Sequence, residues 1–217
     1  EELAAGFMFT EGIIKNNGSI KEIKQPSFDE NRVLIILVQN IMPVLSNASR
    51  NFYSTSSCGI CGKASIDAIR TISQYTDPED IVSIKATVLY ALPDLLKTRQ
   101  QVFQDTGGIH ASALFDVDGK FILLREDVGR HNALDKLIGN AFLNNQLPLG
   151  NSILLLSGRA SFELVQKAAM AGIKIIAAVG APSSLAVELA TETGITLIGF
   201  LKHNRFNIYS GKNRIKL

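Results

Sequence analysis

Residues 151–201 alternate short apolar runs with amphipathic stretches, and this alternation constrains the fold more than any other feature of the 217-residue chain. Residues 151–157 (NSILLLS), 173–179 (IKIIAAV) and 195–201 (ITLIGFL) read as strands. Residues 160–171 and 183–193 between them read as helices. A strand–helix–strand–helix–strand order implies parallel strands joined by right-handed crossovers. Ligands of such sheets lie beyond the carboxyl ends of the strands. The residues just after each strand are therefore the first place to look for chemistry.

Upstream the signals are shorter. Residues 3–14 repeat apolar positions at helical spacing (Leu3, Phe7, Met8) and stop at Gly12. The run 33–38 suits a buried strand, and the serine-rich stretch 46–57 reads as a long loop. A helix is expected from Ile60. Another should start at Asp77-Pro78-Glu79-Asp80 and bend or end at Pro93. Asp118-Gly119 between the apolar runs 109–117 and 120–124 predicts a hairpin, and 132–146 another helix.

Composition narrows the function classes. With 46 % hydrophobic and 19 % charged residues the chain can bury a core. Twenty-two basic against 20 acidic residues give a net charge of +2, which argues against a dedicated DNA or RNA binder. No apolar run approaches the ~20 residues of a membrane span. Two cysteines are too few for a disulfide framework and fit a reducing compartment.

Both cysteines lie in Ser57-Cys58-Gly59-Ile60-Cys61-Gly62. Two thiols at this spacing can approach one atom, and the glycines let the backbone turn tightly and expose the sulfurs. A helix starting near Ile60 would favour thiolate. Three chemistries fit the pair: half of a zinc site, a dithiol exchanger, or a sulfur carrier holding a persulfide. Zinc needs four ligands, and neither His110 nor His131 brings the second half of a zinc pattern. Spacing alone leaves the three open.

Further candidates stand at strand ends. Gly107-Gly108 before His110 permits close backbone approach to a ligand. Arg125-Glu126-Asp127-Val128-Gly129-Arg130-His131-Asn132 and Ser157-Gly158-Arg159-Ala160-Ser161 each open a predicted helix. Asp127 is a candidate cap, and Arg130, His131 and Arg159 with free helix amides form plausible anion sites. Phe200-Leu201-Lys202-His203-Asn204-Arg205 follows the last strand and brings two more cations. Neither G-x-x-x-x-G-K-[ST] nor G-x-G-x-x-G is present. Together these residues predict a cationic, glycine-lined crevice for a nucleotide-like anion beside a loop bearing two thiols.

The stretches GFMFTEGII, SSCGICG, TGGIHASALFD, EDVGRHNALDKLIG and SGRASFELVQKAAMAGI, in this order, resemble the FdhD family of formate dehydrogenase accessory sulfurtransferases. The resemblance implies an α/β fold: a cytidine-deaminase-like three-layer sandwich with a mixed sheet (49–217) and a small N-terminal α+β lobe (1–48). The family begins further upstream, which implies that a segment precedes residue 1 here. The resemblance also implies a cytoplasmic homodimer without a resident metal, away from nucleic acid and membrane. Such a protein takes sulfur from a cysteine desulfurase as a persulfide. It passes that sulfur to the molybdenum (or tungsten) bis-guanine-dinucleotide cofactor, bound as cargo, before the cofactor enters apo formate dehydrogenase. The family's persulfide cysteine falls on Cys58, with Cys61 as partner thiol. Its cofactor segment falls on Phe200, Leu201, Lys202, His203, Asn204 and Arg205. Zinc deaminases need H-x-E and P-C-x-x-C at two helix starts. Here those starts read Gly129-Arg130-His131-Asn132 and Ser157-Gly158-Arg159-Ala160, so deaminase chemistry is disfavoured. A cofactor-binding chaperone without catalysis and a thiol–disulfide oxidoreductase are the competing readings.

Overall fold

The computed structural model describes residues 1–27, 29, 31–44, 73–75 and 82–216. Its centre is a mixed sheet of six strands: β4 (His110–Asp116), β5 (Phe121–Asp127), β6 (Ser152–Leu156), β7 (Ile175–Ala178), β8 (Thr196–Lys202) and β9 (Arg205–Ser210). Their spatial order is β5-β4-β6-β7-β8-β9. The expected parallel core is present: β6, β7 and β8 pair in parallel, while β4–β5, β4–β6 and β8–β9 are antiparallel. The crossovers are α5 (Phe162–Met170) and α6 (Ser184–Glu192).

Strand β6 shows why the sheet needs cover on both sides. All five of its residues are buried. Leu154 and Leu156 pack in one cluster with α4 (Arg130–Leu143), α5, α6 and α1 (Glu2–Thr10). Ile153 and Leu155 face the opposite cluster with Leu89, Leu92 and Leu96 of α2 (Ala86–Lys97). A strand buried on both faces reads as a continuous apolar run rather than an alternating one.

Helix α1 crosses α4 backbone to backbone. A Cβ on Gly6 would stand 1.9 Å from the Asp135 carbonyl oxygen, and one on Gly139 1.9 Å from that of Glu2. The contact is therefore open only to glycine at both positions. Phe9 stacks at 4.9 Å on Phe142 beside it. Arg125 holds the helix start, with Nη2 donating to Glu2 Oε1 at 2.6 Å, and Asn140 donates to the same oxygen at 2.8 Å. The hydrogen bond from Arg125 holds the Glu2 carboxyl below its usual range.

Of the segment assigned to an N-terminal lobe, α1 thus belongs to the main core, while β1 (Ile20–Lys24) and β2 (Leu34–Leu37) form a separate antiparallel pair. The apolar run 33–38 predicts that β2 is buried. It is only partly so, with Leu34 52 % exposed, because a two-stranded ribbon lacks a second covering face.

Three further expectations change. Residues 84–85 are not helical but form β3 (Ile84–Lys85), paired in parallel with β10 (Ile215–Lys216), and α2 starts only at Ala86. It also continues through Pro93 to Lys97, where its buried face of Leu89, Leu92 and Leu96 outweighs one lost backbone bond. The hairpin turns at Asp118-Gly119, with Gly119 at φ +83°, but β5 runs on to Asp127. Pairing of Ala111 with Glu126 and His110 with Asp127 draws those charged residues into the ladder. Residues 46–57 and the helices expected at Ile60 and at 77–80 lie outside the described residues.

Candidate functional site

Strands β5, β6, β7 and β8 all point the same way, so their carboxyl ends share one edge with the start of β4. His110, Asp127, Ser157, Val179 and Lys202 therefore mark a single rim. Backbone bonds fasten the loops of this rim. Gly180 N–H donates to Gly158 O (2.9 Å), Phe200 N–H to Gly180 O (3.1 Å), and Ala160 N–H to Ala181 O (3.2 Å). Glycine is required at the crossing points: a Cβ on Gly180 would come within 3.0 Å of Arg159 Cγ, and one on Gly199 within 2.7 Å of Pro182 Cδ.

On the α2 side of the rim lies a cavity of about 600 Å³. Gly107, Gly108, His110 and Ser157 line one part, and Leu201, Lys202 and His203 another. Its far wall is α2 and the short helix α3 (Gln101–Thr106), through Pro93, Leu96, Lys97, Gln100 and Phe103. The wall is locked to the sheet by Glu126, whose two carboxylate oxygens accept from Val102 N–H (3.2 Å) and Phe103 N–H (3.1 Å). Gly107 ends α3 in the left-handed region (φ +65°), with open space where a side chain would stand. His203 Nδ1 lies 3.1 Å from Asp94 Oδ2 and ties the β8–β9 turn to α2.

The predicted cofactor segment is thus a strand end and a hairpin. Phe200, Leu201 and Lys202 close β8, His203 and Asn204 make the turn, and Arg205 opens β9 opposite Lys202. The register slips between Gly199 and Lys202, and Phe200 takes φ +53°, uncommon for a side-chain-bearing residue. This bulge leaves Phe200 43 % exposed while Leu201 is buried. Lys202 and Arg205 are exposed.

Arg130, His131 and Arg159 share the rim but do not line the cavity. Arg130 and His131 open α4, and Arg159 stands exposed before α5, so they border the sheet's other face. His131 Nε2 lies 3.3 Å from Ser161 Oγ and 3.8 Å from Glu163 Oε2. Burial pushes its imidazole below the usual histidine range, Glu163 works against this, and the charges of Arg130 and Lys167 add to it. The single expected crevice therefore resolves into a cavity on one face and a histidine cluster on the other. Asp127 is not the cap of α4, since Gly129 is. Its carboxylate instead accepts from Gly129 N–H (2.8 Å) and pairs with Lys136. Burial would raise the Asp127 carboxyl, but these partners outweigh it and hold it low.

Behind the histidine cluster lies a buried ion network that the sequence reading missed. Lys167 Nζ reaches Glu11 Oε1 (2.7 Å), Asp135 Oδ2 (3.0 Å) and Thr10 Oγ1 (3.0 Å), and Thr10 in turn donates to Asp135 Oδ1 (2.7 Å). Burial pushes the Asp135 carboxyl up, against the pull of the Lys167 ammonium. A lone lysine in the apolar pattern of 160–171 was the available signal. Cys58 and Cys61 lie outside the described residues, and among those described no three His, Cys, Asp or Glu side chains gather as a metal site.

Comparison with known proteins agrees with this architecture. Residues 1–216 match the FdhD/NarQ family. A sulfur carrier protein FdhD of Mycolicibacterium paratuberculosis is 48 % identical, over 99 % of this chain and 81 % of its own. One of Picrophilus torridus is 44 % identical, over 99 % and 80 %. A crystal structure of a formate dehydrogenase accessory protein from Desulfotalea psychrophila aligns with a TM-score of 0.73 at 25 % identity, covering 99 % of this chain and 79 % of that one.

Proposed function

The chain belongs to the FdhD/NarQ family, and on that premise we propose that it is a sulfur carrier serving formate dehydrogenase. The observation that carries the proposal is the pair Cys58 and Cys61 in SSCGICG, within a chain matched over residues 1–216 to relatives named sulfur carriers. The Cys58 thiolate attacks the terminal sulfur of a persulfide on a cysteine desulfurase. The donor's sulfur–sulfur bond breaks, its thiolate leaves, and Cys58 becomes the persulfide. Cys61 thiolate then attacks Cys58 Sγ, forming a disulfide and expelling the carried sulfur as hydrosulfide. The two thiols supply the two electrons, and a cellular dithiol resets the pair. The acceptor is the molybdenum bis-guanine-dinucleotide cofactor, bound as cargo on its way to apo formate dehydrogenase.

The rim chemistry supports cargo of that kind. The cavity joins apolar walls for flat rings to cations for phosphates, Lys97 and Lys202 at its lining, while Arg205 opens the next strand and Arg159 stands on the same rim over the sheet's other face. A cytoplasmic homodimer and the deaminase-like ancestry of the sheet belong to the same proposal. In place of zinc ligands the two helix starts carry Arg130-His131 and Arg159-Ala160. The test is maturation of apo formate dehydrogenase by the purified chain with a desulfurase, cysteine and the cofactor. Cys58→Ala abolishes maturation yet still binds guanine nucleotide. Full maturation by the variant overturns the assignment.

A further inference from the structure

Helix α3 supplies part of the cavity's far wall through Phe103, and the Gly107-Gly108 pair that follows it also lines the cavity. Every residue from Gln101 to Gly108 is exposed, and α3 buries none of its own side chains. Helices in folded proteins are held mainly by an apolar face packed on a neighbour, and a segment with few buried contacts opens at low cost. Polar contacts take the place of packing here. The Glu126 carboxylate accepts from Val102 N–H (3.2 Å) and Phe103 N–H (3.1 Å), and Gln104 Nε2 donates to Lys97 O (2.9 Å). Among the described residues, the other hydrogen bonds of α3 close within residues 99–107. Glu126 itself is firmly placed: it pairs with Ala111 in the β4–β5 ladder, and Lys136 Nζ donates to its main-chain oxygen (3.2 Å). At the far end of α3, Gly107 takes φ +65° with open space around it, a conformation that only glycine adopts freely.

We propose that α3 is a lid on the cavity and that Glu126 is the positioning residue that latches it. This inference rests on the cargo reading above and deepens it, since it concerns how a ligand enters and leaves. With both carboxylate oxygens engaged, Phe103 stands against the cavity. When they let go, the helix swings on Gly107 and Gly108 and carries Phe103 away from the mouth. Little new apolar surface is exposed by that swing, because α3 buries none of its side chains in the latched state. The open fraction is therefore set chiefly by the latch. Hydrogen bonds to a carboxylate are stronger than those between neutral groups, so the lid is shut most of the time. Opening leaves the sheet intact, because Glu126 stays in the β4–β5 ladder while α3 moves. A gate of this kind governs the rates of entry and exit together.

Hydrogen–deuterium exchange on the full chain tests the latch, and stopped-flow binding of a fluorescent GDP tests the gate. In the wild-type chain the amides of 102–107 exchange faster than those of β6, and GDP slows them. Glu126→Ala speeds exchange at 102–107 by about tenfold and leaves β6 unchanged. Glu126→Gln, which keeps an acceptor oxygen without the charge, falls between the two. Glu126→Ala also takes up and releases GDP several-fold faster, both rates rising together while Kd stays nearly level. A wild-type chain whose 102–107 amides exchange as slowly as those of β6 has no lid; the proposal is then overturned, and GDP binding still supports the cavity assignment. Faster exchange at β6 as well as at 102–107 in Glu126→Ala shows that the carboxylate serves the whole fold and overturns the latch. Faster exchange at 102–107 alone, with unaltered GDP rates, shows a loose helix that gates nothing and overturns the proposal. Failure of the wild-type chain to bind GDP overturns both readings, and sulfur loading at Cys58 is then judged by its own assay.

Discussion

Two polar regions of this protein lie a few helical turns apart and are built on opposite rules. Where α1 crosses α4 and α5, the central charges are paired: Lys167 meets Glu11 and Asp135 and also bonds Thr10, and Arg125 meets Glu2. Along the carboxyl rim, Arg159, Lys202 and Arg205 are exposed, and Gln100 Nε2 is buried without an acceptor among the described residues. The first region uses polarity to fix one helix arrangement. The second leaves polarity available for something that arrives. Charge alone does not mark a site; exposed cations such as Arg159, Lys202 and Arg205, with no ion-pair partner among the described residues, do.

The sharpest way to break the contrast is Lys167→Met. It strips the counter-ion from two carboxylates, one of them nearly fully buried, and should cost about 4 kcal/mol in urea unfolding. A cost below about 1 kcal/mol would show that the network is not a structural unit. Gly139→Ala follows at about 3 kcal/mol, because its Cβ meets a backbone carbonyl that only a shift of α1 can clear.

At the rim the expectation reverses. Arg159→Ala and Lys202→Ala change stability by no more than about 0.5 kcal/mol, as exposed positions do. Each weakens GDP binding several-fold, and the loss shrinks as salt is raised. Large destabilisation without weaker binding would place these residues with the structural region instead.

The smallest effect belongs to His131, which stands between the two regions. Its folded value is depressed, so the unfolded chain takes up the proton first as pH falls. The associated stability is present above the ordinary value near 6.5 and declines below it. The decline is shallow, because the ring remains partly exposed. His131→Gln should flatten it in thermal melts between pH 5 and about pH 7. An unchanged slope would assign the decline to another group.

Much of the rim could be read in advance, because the 3.6 and 2.0 periodicities of 151–201 are strong and strand direction follows from the crossovers. That puts Arg159 and Lys202 on one edge, and the strand-to-helix junction before 132–146 adds Arg130 to it. The division of that edge into two faces could not be read. It depends on α2 covering one side of the sheet, and Pro93 predicts that this helix bends or ends there, whereas it runs on to Lys97. The Gly6–Gly139 crossing was equally hidden, since nothing local in GFMFTEGII tells which helix its glycine will meet. Lys167 and Gln100 look like ordinary surface residues in sequence. Their burial is a tertiary fact, set by α1 in one case and by the α2–α3 corner in the other.

The central claim is that Cys58 carries sulfur, and mass spectrometry of the intact chain and its Cys58 peptide addresses it directly. After incubation with a cysteine desulfurase and cysteine, the peptide gains the mass of one sulfur atom. A reductant removes that mass, and Cys58→Ala lacks it. A peptide that stays unmodified, or sulfur found only on Cys61, contradicts the account.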